Sequence, residues 1–148
     1  LIPAGTKGVI KGIMFNKIVK NIILELNLDC NRYKVVFEKS CIYHSTSEIP
    51  DWYIFDMVSN KILIGMNQLD IWGGGHQSNR GSNYINNSII HNNDKCKLLC
   101  VICNEIIFKS TSNKIFKLFE IGFNNNTLCY IKNLTNIIME FFDIRCSE

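Results

Sequence analysis

The sequence predicts an α/β (α+β) fold, a central mixed β-sheet flanked by helices in the order helix, strand, strand, strand, helix, strand, with a hairpin and a helix added at the C-terminus. Three observations carry that expectation. Residues 15–27 repeat apolar side chains at helical spacing. Residues 51–72 read as two strands, rich in β-branched and aromatic side chains, joined by a turn. Residues 97–103 form a short and almost unbroken apolar run, as a strand covered on both faces would.

Residues 1–14 contain Gly5, Lys7, Gly8, Lys11 and Gly12, and are expected to form a flexible basic arm ahead of one domain over residues 15–148. Their glycines fit neither a Walker nor a Rossmann spacing, which argues against a phosphate loop. In the first helix Phe15, Ile18, Val19, Ile22, Ile23 and Leu26 form the inward stripe, with Asn16, Lys17, Lys20 and Asn21 opposite. Residues 33–37 are the first strand. Pro50 opens the second, residues 51–55, and residues 62–72 make the third. If Ser59 and Asn60 are a two-residue loop, Val58 faces Lys61, and counting back along the ladder sets Asp51 opposite Gln68 with Asp70 on the same face. A three-residue loop sets Asn67 there instead, and any one-residue slip exchanges the faces. Gly73, Gly74 and Gly75 end the third strand before a short helix that begins near His76. Residues 97–103 are the next strand. Residues 114–121 and 127–131 read as the last strands or a hairpin around Gly122 and the Asn124-Asn125-Asn126 turn, and residues 134–142 form a helix with a Leu134, Ile137, Ile138 and Phe141 stripe.

A chain of 148 residues is long enough to bury a core without covalent staples. Its formal net charge of +3 admits a polyanionic partner without requiring one. No run of apolar residues is long enough to span a bilayer, and the first residues lack the pattern of an export signal, so an intracellular location, cytoplasmic or nuclear, is expected. The seven cysteines fit that compartment as reduced thiols. Cys96, Cys100 and Cys103 include one pair at zinc-finger spacing, but the strand around them is apolar and no second such pair follows. Core packing is the expected role, with a zinc-stabilised interaction domain as an alternative.

The chemistry-bearing residues gather around the second and third strands. Phosphodiester hydrolysis needs charge neutralisation at phosphate and a deprotonated water, and Mg²⁺ supplies both when hard oxygen ligands hold it. Asp51, Asp70 and the amide oxygen of Gln68 or Asn67 are such ligands, and Arg80 at a helix start would meet the phosphate. Plain structural roles are open to each residue. Asp51 can initiate a strand, Asp70 can cap the turn at Trp72-Gly73, His76 can be a solvated loop residue, and Glu25 can lie on a solvated helix face.

Pro50-Asp51 on the second strand, followed by Gln68-x-Asp70 on the third, resembles the PD-(D/E)XK, or restriction-endonuclease-like, nuclease superfamily, and the similarity spans about residues 15–103. The resemblance implies a restriction-endonuclease-like core and a metal-dependent DNA endonuclease. Its cofactor would be Mg²⁺ or Mn²⁺ on Asp51 and Asp70, and its catalytic set Asp51, Asn67, Gln68 and Asp70. His76, Gln77, Arg80, Lys17 and Lys20 would meet the nucleic acid. DNA is the implied partner, no membrane is involved, and a homodimer is admitted. Where the family carries Glu-x-Lys this chain has Gln68-x-Asp70 and no lysine on the strand. That departure keeps open a second reading, a catalytically inactive nucleic-acid-binding module of the same fold.

Overall fold

The structure, a computed structural model, describes residues 4–46, 48–68, 92–103 and 120–145. Helix α1 (Ala4–Glu25) is followed by strands β1 (Tyr33–Phe37), β2 (Trp52–Asp56), β3 (Ile62–Gln68), β4 (Cys96–Ile102) and β5 (Leu128–Tyr130), then a 3₁₀ turn (Ile131–Asn133) and helix α2 (Leu134–Phe141). The strands form one mixed sheet in the order β1-β2-β3-β4-β5. β1, β2 and β3 are antiparallel neighbours, whereas β3 to β4 and β4 to β5 are parallel and need crossovers. The architecture is therefore an α+β fold around a five-stranded mixed sheet. Among the described residues no helix is long and apolar enough to cross a membrane.

Phe15, Val19 and Ile23 recur one helical turn apart on α1 and are buried against Trp52, Ile54, Leu63, Leu99 and Val101 of the sheet. Leu134 and Ile138 of α2, with Phe142 beyond it, enter the same cluster, so α1 and α2 cover one face. Helix α1 differs from expectation in two ways. It begins at Ala4 and takes in residues expected to form an arm, and Ile18, expected inside, is 50% exposed because the sheet contacts a narrower stripe than the apolar pattern offers. Asn27, at φ 48°, ends the helix in the left-handed conformation that asparagine tolerates. On the other face Tyr53, Ile62, Ile64, Cys96 and Leu98 pack together, and Tyr43 stacks on Phe55 with ring centroids 3.8 Å apart.

The β2–β3 connection corrects the predicted register. Asp56 and Lys61 flank a four-residue turn, closed by Asp56 N–H to the Lys61 carbonyl at 2.9 Å and by Asn60 N–H to the Asp56 carbonyl at 2.8 Å. The Asp56 carboxylate also accepts from the Val58 N–H and the Ser59 hydroxyl, and these bonds stabilise the longer turn over the two-residue loop. Trp52 therefore pairs with Gly65, and the position facing Asp51 is Met66. Gln68 lies two residues beyond it, so the expected Asp51–Gln68 pair is not made.

A second correction concerns the C-terminal part. Residues 120–124 are helical, not extended, and the turn that follows places Asn126 at φ 55° and returns the Thr127 N–H to the Gly122 carbonyl at 3.0 Å. Asparagine-rich turns serve a helix end as readily as a hairpin. β5 accordingly pairs in parallel with β4. The remainder of the expected hairpin, and the short helix near His76, fall outside the described residues.

Candidate functional site

Asp51 immediately precedes β2 and prolongs both of its ladders: its N–H donates to the Gly65 carbonyl at 3.1 Å, and its carbonyl accepts from the Glu38 N–H at 3.0 Å. The side chain is held separately. Its Oδ2 accepts the Asn67 backbone N–H at 2.6 Å, a short, charge-assisted bond that stabilises the ionised carboxylate. The side chain of Asn67 has two further partners. Its Oδ1 accepts the Trp52 indole N–H at 3.1 Å and its Nδ2 donates to Asn16 Oδ1 of α1 at 3.1 Å.

A cleft of about 220 Å³ opens beside this network. Asp51, Trp52 and Asn67 form its floor, Phe37 and Glu38 come from the end of β1, and α1 supplies Ile13, Asn16, Lys17 and Lys20. The β1–β2 ladder explains why Glu38 arrives there: Phe37 pairs with Trp52, so the next residue falls beside Asp51. Glu38 adopts φ 55°, the left-handed region that is unfavourable for a side chain of its kind. The Lys20 ammonium lies 5.0 Å from the centroid of the Phe37 ring, a cation–π contact, and both lysines are exposed. The cleft thus joins two carboxylates and two ammonium groups on a partly apolar wall.

Of the residues singled out from sequence, Asp51, Asn67, Lys17 and Lys20 are brought together here. Gln68 ends β3 beside Ile102, and strand alternation sends it to the face opposite Asn67. Asp70, His76, Gln77 and Arg80 lie outside the described residues. Glu25 is exposed at the end of α1. Sequence reasoning missed Glu38, Asn16 and Trp52. Only the register of β1 on β2 brings Glu38 to the cleft, and no local motif marks it.

Asp51 and Glu38 offer the hard oxygen donors that Mg²⁺ and Mn²⁺ prefer, so the chemistry of the wall fits such an ion. Among the described residues no three His, Cys, Asp or Glu side chains gather closely enough to enclose one by themselves. The thiols are arranged differently from a zinc site. Cys96 packs in the cluster on one sheet face and Cys103 against the cluster on the other, because β4 runs as a regular strand between them.

A larger cavity, about 350 Å³, lies at the opposite end of the sheet between Lys61, Lys97, Asn93 and Glu140. One of its charges is matched within the protein: Lys61 Nζ donates to the Phe141 carbonyl at 2.9 Å and to Asp143 Oδ2 at 3.2 Å. Burial lowers the pKa of Lys97, and nearby Glu140 opposes that shift. It holds none of the catalytic, metal-binding or nucleic-acid-binding candidates named from the sequence. The smaller cleft, with Asp51 on its floor, is therefore the stronger candidate. Comparison of the chain with protein-family models, with curated proteins and with solved structures gives no match.

Proposed function

We propose that this chain is a metal-dependent DNA endonuclease of restriction-endonuclease-like fold. The observation that carries the reading is the Asp51 carboxylate, fixed on the Asn67 N–H at 2.6 Å, at a cleft that also gathers Glu38, Lys17 and Lys20. The order of helix and three antiparallel strands followed by a parallel fourth supports it. Mg²⁺ or Mn²⁺ bound here would neutralise phosphate charge and acidify a coordinated water. Asp51, with Asp70 as the further proposed ligand, would hold that ion. Glu38 adds a second carboxylate to the described wall. Lys17 and Lys20, one helical turn apart, face the same cleft and would meet neighbouring phosphates of a DNA backbone as point charges. His76, Gln77 and Arg80 remain the proposed contacts from the segment after β3.

The test is incubation of the purified chain with supercoiled and linear DNA, with and without Mn²⁺. Cleavage is expected only with the ion, and Asp51→Asn should lower it by roughly a hundredfold or more while binding is kept or strengthened, because a ligand and a negative charge leave the site together. Undiminished cleavage by the variant rejects the mechanism. One observation favours the second reading, an inactive nucleic-acid-binding module: β3, with the sequence ILIGMNQ, carries no lysine. Salt-dependent DNA binding without cleavage under any divalent ion selects it.

A further inference from the structure

Asn67 was singled out from sequence as a catalytic candidate, but its hydrogen bonds describe a different task. We propose that Asn67 is a positioning residue, one that orients the Asp51 carboxylate and is itself oriented by Trp52 and Asn16. The proposal rests on reading Asp51 as a divalent-cation ligand.

The Asn67 side chain is engaged at both ends, and its backbone N–H holds Asp51. The Asn67 amide oxygen already accepts the Trp52 indole N–H, and its amide nitrogen donates to Asn16. A cation on that oxygen would share it with the indole N–H and repel that positive hydrogen, and Trp52 is only 1% exposed, so a weakened bond there is poorly replaced by water. Trp52 has little freedom to follow. Its ring lies across Gly65 so closely that a Cβ built there would come within 1.8 Å of Trp52 Cε2. Gly65 thus admits the indole, the indole and Asn16 anchor the Asn67 side chain, and the end of β3 seated by that anchor donates the Asn67 backbone N–H to Asp51 Oδ2. The Asn16 bond adds the helix. Asn16 sits between buried Phe15 and cleft-lining Lys17, so the element that carries the lysines is tied to the element that carries the carboxylate. Such outer partners set the orientation of a ligand and hence the affinity of the ion it holds.

Two substitutions test this without touching an atom that could coordinate metal through Asp51. Trp52→Phe keeps an aromatic ring over Gly65 and removes the N–H, and Asn16→Ala removes the helix-side partner. Mn²⁺ affinity of the full chain, measured by calorimetry and by electron paramagnetic resonance, is compared with wild type and with Asp51→Asn, and thermal melting is recorded alongside. A positioning role predicts Mn²⁺ binding weakened about tenfold by Trp52→Phe and by a smaller factor, about twofold to fivefold, by Asn16→Ala. If Asn67 is a ligand, freeing its oxygen from the indole leaves Mn²⁺ affinity unchanged or tighter, and that result overturns the proposal. A lowered melting temperature with unchanged Mn²⁺ affinity overturns it as well, since it marks a purely structural bond. Should Trp52→Phe fail to fold, Asn16→Ala decides alone by the same criterion. Wild-type protein that shows no Asp51-dependent Mn²⁺ binding overturns the reading of the site together with this inference, whereas the other negative outcomes leave that reading intact.

Discussion

Asp56 shows how one buried carboxylate organises a turn and a neighbouring strand. Its two oxygens accept the Arg32 Nε and Nη2 hydrogens, each at 3.0 Å, and also the Val58 N–H and Ser59 hydroxyl. The Arg32 guanidinium, with Ser59 and Val58 after it, holds the carboxyl well below the usual carboxylate range, against the opposing effect of burial. A carboxyl with a depressed folded-state pKa binds fewer protons when folded than when unfolded, so its contribution is present above the unfolded value near 4 and is lost as pH falls toward the folded one. Stability should therefore decline progressively below about pH 4, and Asp56→Asn should flatten that decline. Urea titrations at a series of acidic pH values check both. At neutral pH, Asp56→Ala removes the acceptor of several loop donors and should cost about 2–4 kcal/mol.

At the scale of elements, the β2–β3 hairpin is the unit that builds the cleft. The Asp56 turn sets its register, Trp52 falls on Gly65, and Asn67 then lies where Asp51 can reach its N–H. Gly65 is the position at which this arrangement is most exposed to substitution. A methyl group would meet the Trp52 ring, which packing beneath α1 keeps from withdrawing, so Gly65→Ala should destabilise the fold by about 1–3 kcal/mol or more. The same variant should lose Asp51-dependent Mn²⁺ binding, because the indole moves with its hydrogen bond to Asn67. Denaturant unfolding and Mn²⁺ titration measured on one preparation give the two answers separately.

For the whole molecule, the burial of β4 between β3 and β5 decides what the cysteines of these strands can do. Burial pushes the Cys96 thiol up to about 11 and the Cys129 thiol up to about 12, and raises Cys100 further, with Cys129 and Asp51 nearby adding to the effect on Cys100. Thiols so protonated and covered are poor nucleophiles. In native protein at pH 8, iodoacetamide should modify exposed Cys30 and leave Cys96, Cys100 and Cys129 intact until denaturant is added. Peptide mass mapping of the alkylated chain reads this directly, and early labelling of Cys100 would contradict the covered sheet.

Local pattern was enough for the existence and type of most described elements. The 3.6-residue recurrence of Phe15, Val19 and Ile23 marks α1, the apolar run in residues 97–103 marks β4, and Leu134 with Ile138 marks α2, because each pattern reports which side of its own element is covered. Pro50-Asp51 likewise marked the start of β2, and Asp51 lines the cleft. What the pattern could not supply was register and partnership. Turn length between β2 and β3 depends on four hydrogen bonds to Asp56, including two from Arg32, which lies 24 residues earlier, so no local rule distinguishes that turn from a two-residue loop. From that register follows the bond of Asp51 to the Asn67 N–H in place of a pair with Gln68, and the separate register of β1 on β2 brings Glu38 beside them. The sequence by itself determined most of the described strands and the cores of α1 and α2, because each is marked by its own apolar pattern. The tertiary structure alone decided which amide holds the Asp51 carboxylate, since contacts between residues far apart in the chain fix it.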